Sequence, residues 1–474
     1  MDLFPVLVAF FFGVLAVFLF QQKKRSGKKA KAPTVNMPSV EEQERRLHEY
    51  QSVMFRDATE ASSNVAVPSF KGLLEVESRK GSLAVVKGGA FAQPTECLDL
   101  GTFDYHSFST HPAITEVARQ TVLAYGVGSC GPRGFYGTVK PHLDAEKDLT
   151  EFLGTEATVI YSFSYATVAT LVSCFASRGD YLVADAYSCS PVVEGCLLSR
   201  AHYSTYKHND MADLERQLKA IAAKDNALKP KRRFVVAEGL FKNFGDFADL
   251  KSIIPLCRKY KFRLILEDSY GFGAVGKTGR GTPELFGFPT SEVDVYIGSM
   301  SAALGAVGGF CSGALNMVDF QRMGSTAYVF SASLPPYVTA SVSKALAIMT
   351  EDVHYVKSLN ENTKRARAIL RDAKFDDEKI ALQECAEDAS PIIMLVASEG
   401  YVRQKGRMAV EDQLQRVINA VAAHKVIVIK HLYVEEEPTF NLPSLRIVIK
   451  GDIEEVKLVA AIDTVVAAVK KELA

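Results

Sequence analysis

GSMSAALGAVGGF, residues 298–310, follows an apolar run at residues 293–297 that is broken only by Asp294. The run predicts a buried strand. A strand that opens into serine, alanine and glycine lets backbone come close to a ligand. The sequence contains no lysine between Lys277 and Lys344, so the loop and its sequence neighbours carry no amine.

Outward from this loop the chain alternates short apolar runs with longer amphipathic stretches. Strands are expected at residues 158–161, 181–183, 234–237, 264–267 and 293–297, which indicates an α/β domain on a mainly parallel sheet. After Pro335-Pro336 a helical region reaches about Asp372. A smaller α+β unit follows, with strands expected at residues 391–396, 426–429 and 445–449 and a helix at 408–423. The last helix is expected to start at an Asp452 cap with Glu455 three residues on, and to bury Leu458, Ile462, Val465, Val466 and Val469. The reading gives a large domain at 97–345 and a C-terminal small domain at 346–474. Residues 23–96 read as a basic linker and N-terminal helical segment, with prolines at 32–39 and a charged helix at 40–56.

Residues 3–20 (LFPVLVAFFFGVLAVFLF) are uncharged and almost wholly apolar. As a helix they would extend roughly 27 Å, close to the hydrocarbon thickness of the endoplasmic reticulum membrane. A cleaved signal peptide would carry positive charge before the apolar run and small residues after it. Here Asp2 precedes the run, and Lys23, Lys24, Arg25, Lys28, Lys29 and Lys31 follow it. Residues 1–22 are therefore expected to be a single transmembrane signal anchor with the folded part cytosolic. The basic tract suits contact with anionic membrane lipid, or a plain solvated flank. The chain has 474 residues with zero formal net charge, which gives no ground for a nucleic-acid partner. Eight cysteines without a Cys-x-x-Cys pair fit a reducing compartment and supply no metal motif.

From about Cys97 onward the sequence resembles the α-oxoamine synthases, fold-type-I pyridoxal-phosphate enzymes that condense an amino acid with an acyl-CoA. The motifs that carry the likeness are GSCGPRGFYG at 128–137, Lys-His-Asn-Asp-Met at 207–211, the glycine run Gly271-Phe-Gly273-Ala-Val-Gly276 leading to Gly279-Arg280-Gly281, and Gly-Gly-Phe-Cys at 308–311. Read alone, the 271–276 run is also a dinucleotide fingerprint, but that fingerprint needs a helix starting within its glycines, and Gly279, Gly281 and Pro283 follow at once. The resemblance implies a large cofactor domain, a small C-terminal domain and a Schiff-base lysine directly after Ser301. That position is Ala302, and a methyl group forms no imine. The family's ring-stacking histidine corresponds to Cys189, its pyridinium-pairing aspartate to Glu267, and a further histidine to Tyr270. Lysine, acid and stacking ring are thus altered together.

The resemblance implies a heterodimer in which a lysine-bearing paralogue binds pyridoxal phosphate covalently. This chain would supply the site's second wall from residues 128–137 and 330–336, with Cys130, Ser331 and Ala332 facing the partner's cofactor. Small activating subunits and membrane regulators are further partners the family implies. Arg446 stands where the family carries an arginine for the substrate carboxylate, although an arginine on a strand is more often a structural ion pair. Two other readings stay open: an active enzyme that uses an unexpected lysine such as Lys277, and a membrane scaffold with no part in a site.

Overall fold

The structure, a computed structural model, describes residues 74–224, 231–431 and 442–473. The expected membrane span at 3–20, the linker at 32–39 and the helix at 40–56 lie outside these residues. Among the described residues no helix is long and apolar enough to cross a membrane.

Seven strands form the large sheet, in the spatial order Ala157–Tyr161, Gly309–Gly313, Val295–Ser299, Arg263–Glu267, Arg233–Glu238, Tyr181–Asp185, His202–Tyr206. The last five pair in parallel. Gly309–Gly313 runs antiparallel to both neighbours. Central strands such as Arg233–Glu238 are buried along almost their whole length, as expected when helices cover both faces of a parallel sheet. That two-sided burial makes them continuous apolar runs in the sequence. The strand expected from residue 293 begins at Val295, because Asp294 turns aside to accept the Leu264 N–H at 2.9 Å.

The helical region after the proline pair consists of two helices, Pro336–Glu351 and His354–Asp372. The strands Ile380–Leu382, Ile392–Ala397, Ser444–Val448 and Ile429–Lys430 make an antiparallel sheet, accompanied by the helices Arg407–Ala423 and Glu455–Glu472. The strand expected at 426–429 is split, since Val426–Ile427 joins a different sheet. That third sheet contains Glu75–Lys80, Leu83–Gly88 and Phe91–Asp99. The described part of the segment read as linker and helix is therefore a β-meander. Its Ala84, Val86 and Cys97 are buried with Ile427. A buried Lys450–Asp99 ion pair at 3.1 Å ties the meander to the C-terminal sheet region.

Asp452 is not the cap of the last helix. That helix starts at Glu455 with Glu454 as its cap residue, while Asp452 accepts the Ser82 N–H at 2.9 Å, 370 positions away in sequence. The buried stripe is otherwise as expected, with Leu458, Ile462, Val465 and Val469 inside and Val466 partly buried.

Candidate functional site

The strand Val295–Ser299 ends in a tight excursion that returns as Gly309–Gly313. Gly305 has φ 63°, and a Cβ there would lie 2.3 Å from the Ser109 nitrogen, so only glycine fits. Ala302 is fully buried in a cluster with Leu100, Tyr105 and Ala303. Its carbonyl accepts the Tyr105 N–H at 2.8 Å. Ser301 Oγ lies 2.7 Å from Ser299 Oγ, which lies 2.8 Å from Ser164 Oγ at the start of the helix Ser164–Phe175. The loop offers hydroxyls and a methyl group but no amine.

Facing it are the C-terminal ends of three neighbouring parallel strands. Glu238 and Glu267 are register partners at the ends of their strands, and Cys189 caps the helix Ser190–Ser199 just after the strand Tyr181–Asp185. The Cys189 N–H donates to Glu238 Oε1 at 2.5 Å, and the Ser269 N–H donates to Glu267 Oε1 at 3.1 Å. Burial pushes both carboxyls up from the ordinary range, and the Glu238 charge pushes Glu267 further. Glu238 was not among the candidates read from the sequence. Its place depends on strand register, and the only local signal is an acid ending an apolar run.

Asp268 cannot take over the role of Glu267. It accepts hydrogen bonds from the Thr282 N–H and hydroxyl and from the Tyr296 hydroxyl, which lock it beneath the 271–281 glycine loop. Burial still pushes its carboxyl up to about 7. Turns rather than a helix follow Gly271, and the next helix is Thr282–Leu285, so the dinucleotide reading does not hold. Tyr270 packs against Phe103 at 4.7 Å between ring centres. These residues do not fit a covalently held pyridoxal phosphate: where the resemblance expects a lysine the core holds the Ala302 methyl, where it expects a stacking ring there is the buried Cys189 thiol, and Glu267 sits against a second carboxyl.

The two segments proposed as a wall are joined to each other. Ser129 Oγ donates to the Ser333 carbonyl at 2.8 Å, and the Ser333 N–H and hydroxyl donate to the Gly131 carbonyl at 2.9 and 3.0 Å. A Cβ at Gly137 would meet that same carbonyl oxygen at 1.8 Å. Cys130 is exposed and left-handed at φ 61°. Ser331 is half-buried with its hydroxyl on the Ala327 carbonyl. Ala332 is exposed, and its carbonyl accepts the Ser162 hydroxyl. Phe135, Tyr136, Phe163 and Phe330, on or beside these segments, are each more than 65% exposed.

Arg446 is not in a structural ion pair among the described residues. Its guanidinium lies 4.7 Å over the Phe103 ring, with Nε unbonded. Lys277 is exposed on the glycine loop, whereas the charge of Lys242 reaches Cys189 and His431.

The Lys-His-Asn-Asp-Met motif has a structural account. His208 bonds Asp185 Oδ1 at 2.9 Å and Asp246 Oδ2 at 2.8 Å, and its ring clusters with those of Tyr187 and Phe244, at 4.3 and 5.4 Å between ring centres. This clamp fixes the turn that delivers Cys189. Burial opposes charge on the imidazole, but the two aspartates outweigh it and push its pKa up to about 9. A folded value above the ordinary 6.5 contributes stability that is full below pH 6.5 and lost as pH rises through 9. Wild type is therefore expected to lose up to about 3 kcal/mol between pH 6.5 and 9.5. His208→Gln is expected to be less stable at pH 6.5 and nearly flat over that window, as denaturant unfolding at a series of pH values would measure.

Residues 95–462 match the aminotransferase class I and II family. Serine palmitoyltransferase 1 of Dictyostelium discoideum is 34% identical over 368 residues, 78% of this chain and 76% of the relative. Long chain base biosynthesis protein 1b of Oryza sativa subsp. japonica is 34% identical over 382 residues, 81% of this chain and 75% of the relative. Among solved structures, a serine palmitoyltransferase from S. paucimobilis with bound PLP–myriocin aldimine superposes with a TM-score of 0.75 at 22% identity. It covers 90% of this chain and 98% of that one. At that identity the likeness is one of fold.

Proposed function

The chain belongs to the aminotransferase class I and II family and, within it, to the serine palmitoyltransferases of sphingolipid long-chain-base biosynthesis, and from that premise we propose that it is the non-catalytic, lysine-lacking subunit of a heterodimer. A lysine-bearing paralogue holds pyridoxal phosphate covalently. The complex condenses L-serine with palmitoyl-CoA, releasing CO2 and CoA, to give 3-ketodihydrosphingosine. This chain contributes the second wall of the partner's site, stability and membrane placement, and small activating subunits and membrane regulators join the complex.

The observation that supports the reading is the burial of the Ala302 methyl in the core, at the position where the family resemblance expects the imine-forming amine. A plain scaffold reading is disfavoured by the bonded pair of loops at 128–137 and 330–336, which retain a tight backbone and surround themselves with exposed aromatic side chains. Such exposed apolar groups suit a protein interface. The test is a pull-down of the full-length chain from membranes, followed by reconstitution. Condensing activity is expected only when a lysine-bearing paralogue is present. Activity of this chain alone overturns the reading, as does an active paralogue that is indifferent to its removal.

The apolar run at 3–20 and the basic tract after it support the reading of residues 1–22 as a single-pass anchor in the endoplasmic reticulum membrane with the globular part cytosolic. A glycosylation acceptor engineered near residue 35 is expected to stay unmodified, and one placed before Leu3 to be modified. The opposite pattern reverses the topology.

A further inference from the structure

Three side chains that the reading above leaves without a task meet at the strand ends. Cys189, Glu238 and Glu267 each offer one ligand atom, and the three atoms lie within 4.8 Å of one another. All are buried, at 3%, 0% and 2% exposure. Buried carboxylates ordinarily come with cations or a full set of donors. Among the described residues no lysine or arginine side chain is paired with either acid. Glu238 receives backbone N–H groups from Cys189 and, at 3.3 Å, from Lys242, and it is hydrogen-bonded by the Cys189 thiol, but no cation among the described residues meets it. Glu267 Oε2 receives no hydrogen bond at all.

We propose that this trio is a binding site for a zinc-class divalent cation, held by Cys189 Sγ and one carboxylate oxygen from each of Glu238 and Glu267. One sulfur and two oxygens are too soft and too few for calcium or magnesium. Three protein ligands with a fourth position open suit zinc. The cation resolves what the protein alone leaves unresolved: it neutralises two acids that stand side by side on adjacent strands and occupies the unsatisfied Oε2. Zinc–ligand distances of about 2.0–2.3 Å require the three atoms to draw together. Glu267 can move toward the others, because its hydrogen bonds come from Ser269 alone and its Oε2 is unbonded. Cation binding releases the thiol proton of Cys189 and any proton shared by the acids to solvent. The site occupies the strand ends that in a lysine-bearing relative would face the cofactor ring, and it does not depend on the heterodimer reading.

The test uses the full-length chain in detergent, stripped with chelator, loaded with Zn2+ and dialysed before metal analysis. One equivalent of zinc per chain is expected. Glu267→Gln and Cys189→Ser should each weaken binding at least tenfold, and Cys196→Ser, a buried cysteine outside the trio, should not. Loading with Co2+ should give a thiolate-to-cobalt charge-transfer absorption in wild type and none in Cys189→Ser. A wild-type chain that unfolds cooperatively yet holds under a tenth of an equivalent of zinc overturns the proposal, leaving the trio as a proton-sharing acid pair beside a thiol. Zinc retained equally by the two variants also overturns it. If both variants fail to fold, the wild-type cobalt spectrum decides, since a cobalt complex without thiolate absorption excludes Cys189 as a ligand.

Discussion

Purified without a partner and given pyridoxal phosphate, the chain is expected to show no imine absorbance and no cofactor-bearing peptide after borohydride treatment. Ala302→Lys is expected to leave both results unchanged. The wild-type outcome follows from chemistry, since the position holds a methyl. The variant outcome follows from packing. Ala302 is fully buried in the same core cluster as Leu100, Tyr105 and Ala303, and its carbonyl is fixed by the Tyr105 N–H. Forcing a longer side chain into such a core typically costs about 1–3 kcal/mol, and an amine there would also have to shed its charge or find a partner. Beyond the lysine, the strand ends where the resemblance places the ring contacts hold a buried thiol at Cys189 and the paired carboxyls of Glu238 and Glu267. Restoring one contact leaves the others missing. The lysines that could embarrass this expectation are Lys242, whose charge reaches Cys189, and the exposed Lys277. A trapped cofactor peptide containing either one would replace the non-catalytic reading with that of an active enzyme.

The parts of the fold that were legible in the sequence are those where burial is two-sided. The strands Arg233–Glu238 and Arg263–Glu267 lie in the parallel part of the large sheet, so between their charged ends their sequences are unbroken apolar runs. The meander was illegible for the opposite reason. Glu75–Lys80 is exposed at every residue and largely charged, and it is a strand only because Leu83–Gly88 pairs with it. Asp452 reads locally as a helix cap, but its partner Ser82 is supplied by that same meander, which no local pattern announces. In the candidate site, Ala302, Cys189 and Glu267 are the positions to which the motif resemblance points. Glu238 was missed because its nearness to Glu267 is a matter of register between strands. His208 was visible within a motif, but its clamp on Asp185 and Asp246 was not. Cys130 is expected from the resemblance to face the partner's cofactor. The loop is tight at Gly131 and Gly137, yet the Cys130 side chain is exposed.

That exposure sharpens what substitutions in the wall should do. In the isolated chain Cys130→Trp meets no crowded interior, and one non-glycine residue replaces another at the same left-handed φ of 61°. Its effect on the stability of this chain is therefore expected to stay within about 0.5 kcal/mol, as for other surface changes. In the heterodimer the ring would project toward the partner. A displacement of about 1 Å at a substrate pocket can cost on the order of a hundredfold in rate, so turnover or the choice of amino acid should suffer while assembly persists. Ser331→Phe removes the hydroxyl's bond to the Ala327 carbonyl, worth about 1 kcal/mol, and adds bulk next to the exposed Ala332; cofactor retention on the partner should fall. Gly137→Ala supplies the contrast. Its new methyl would collide with the Gly131 carbonyl and crowd Ser333 Oγ at 2.6 Å, so it should part the two segments and destabilise this chain even without a partner. Cys385→Trp, in the partly buried shell of the C-terminal core, should cost stability but leave turnover per assembled complex unchanged. The four variants thus separate damage within the chain from damage across an interface. If heterodimers carrying Cys130→Trp and Ser331→Phe keep normal turnover, amino-acid selectivity and cofactor occupancy, these segments do not line the partner's site and the chain acts as a scaffold alone.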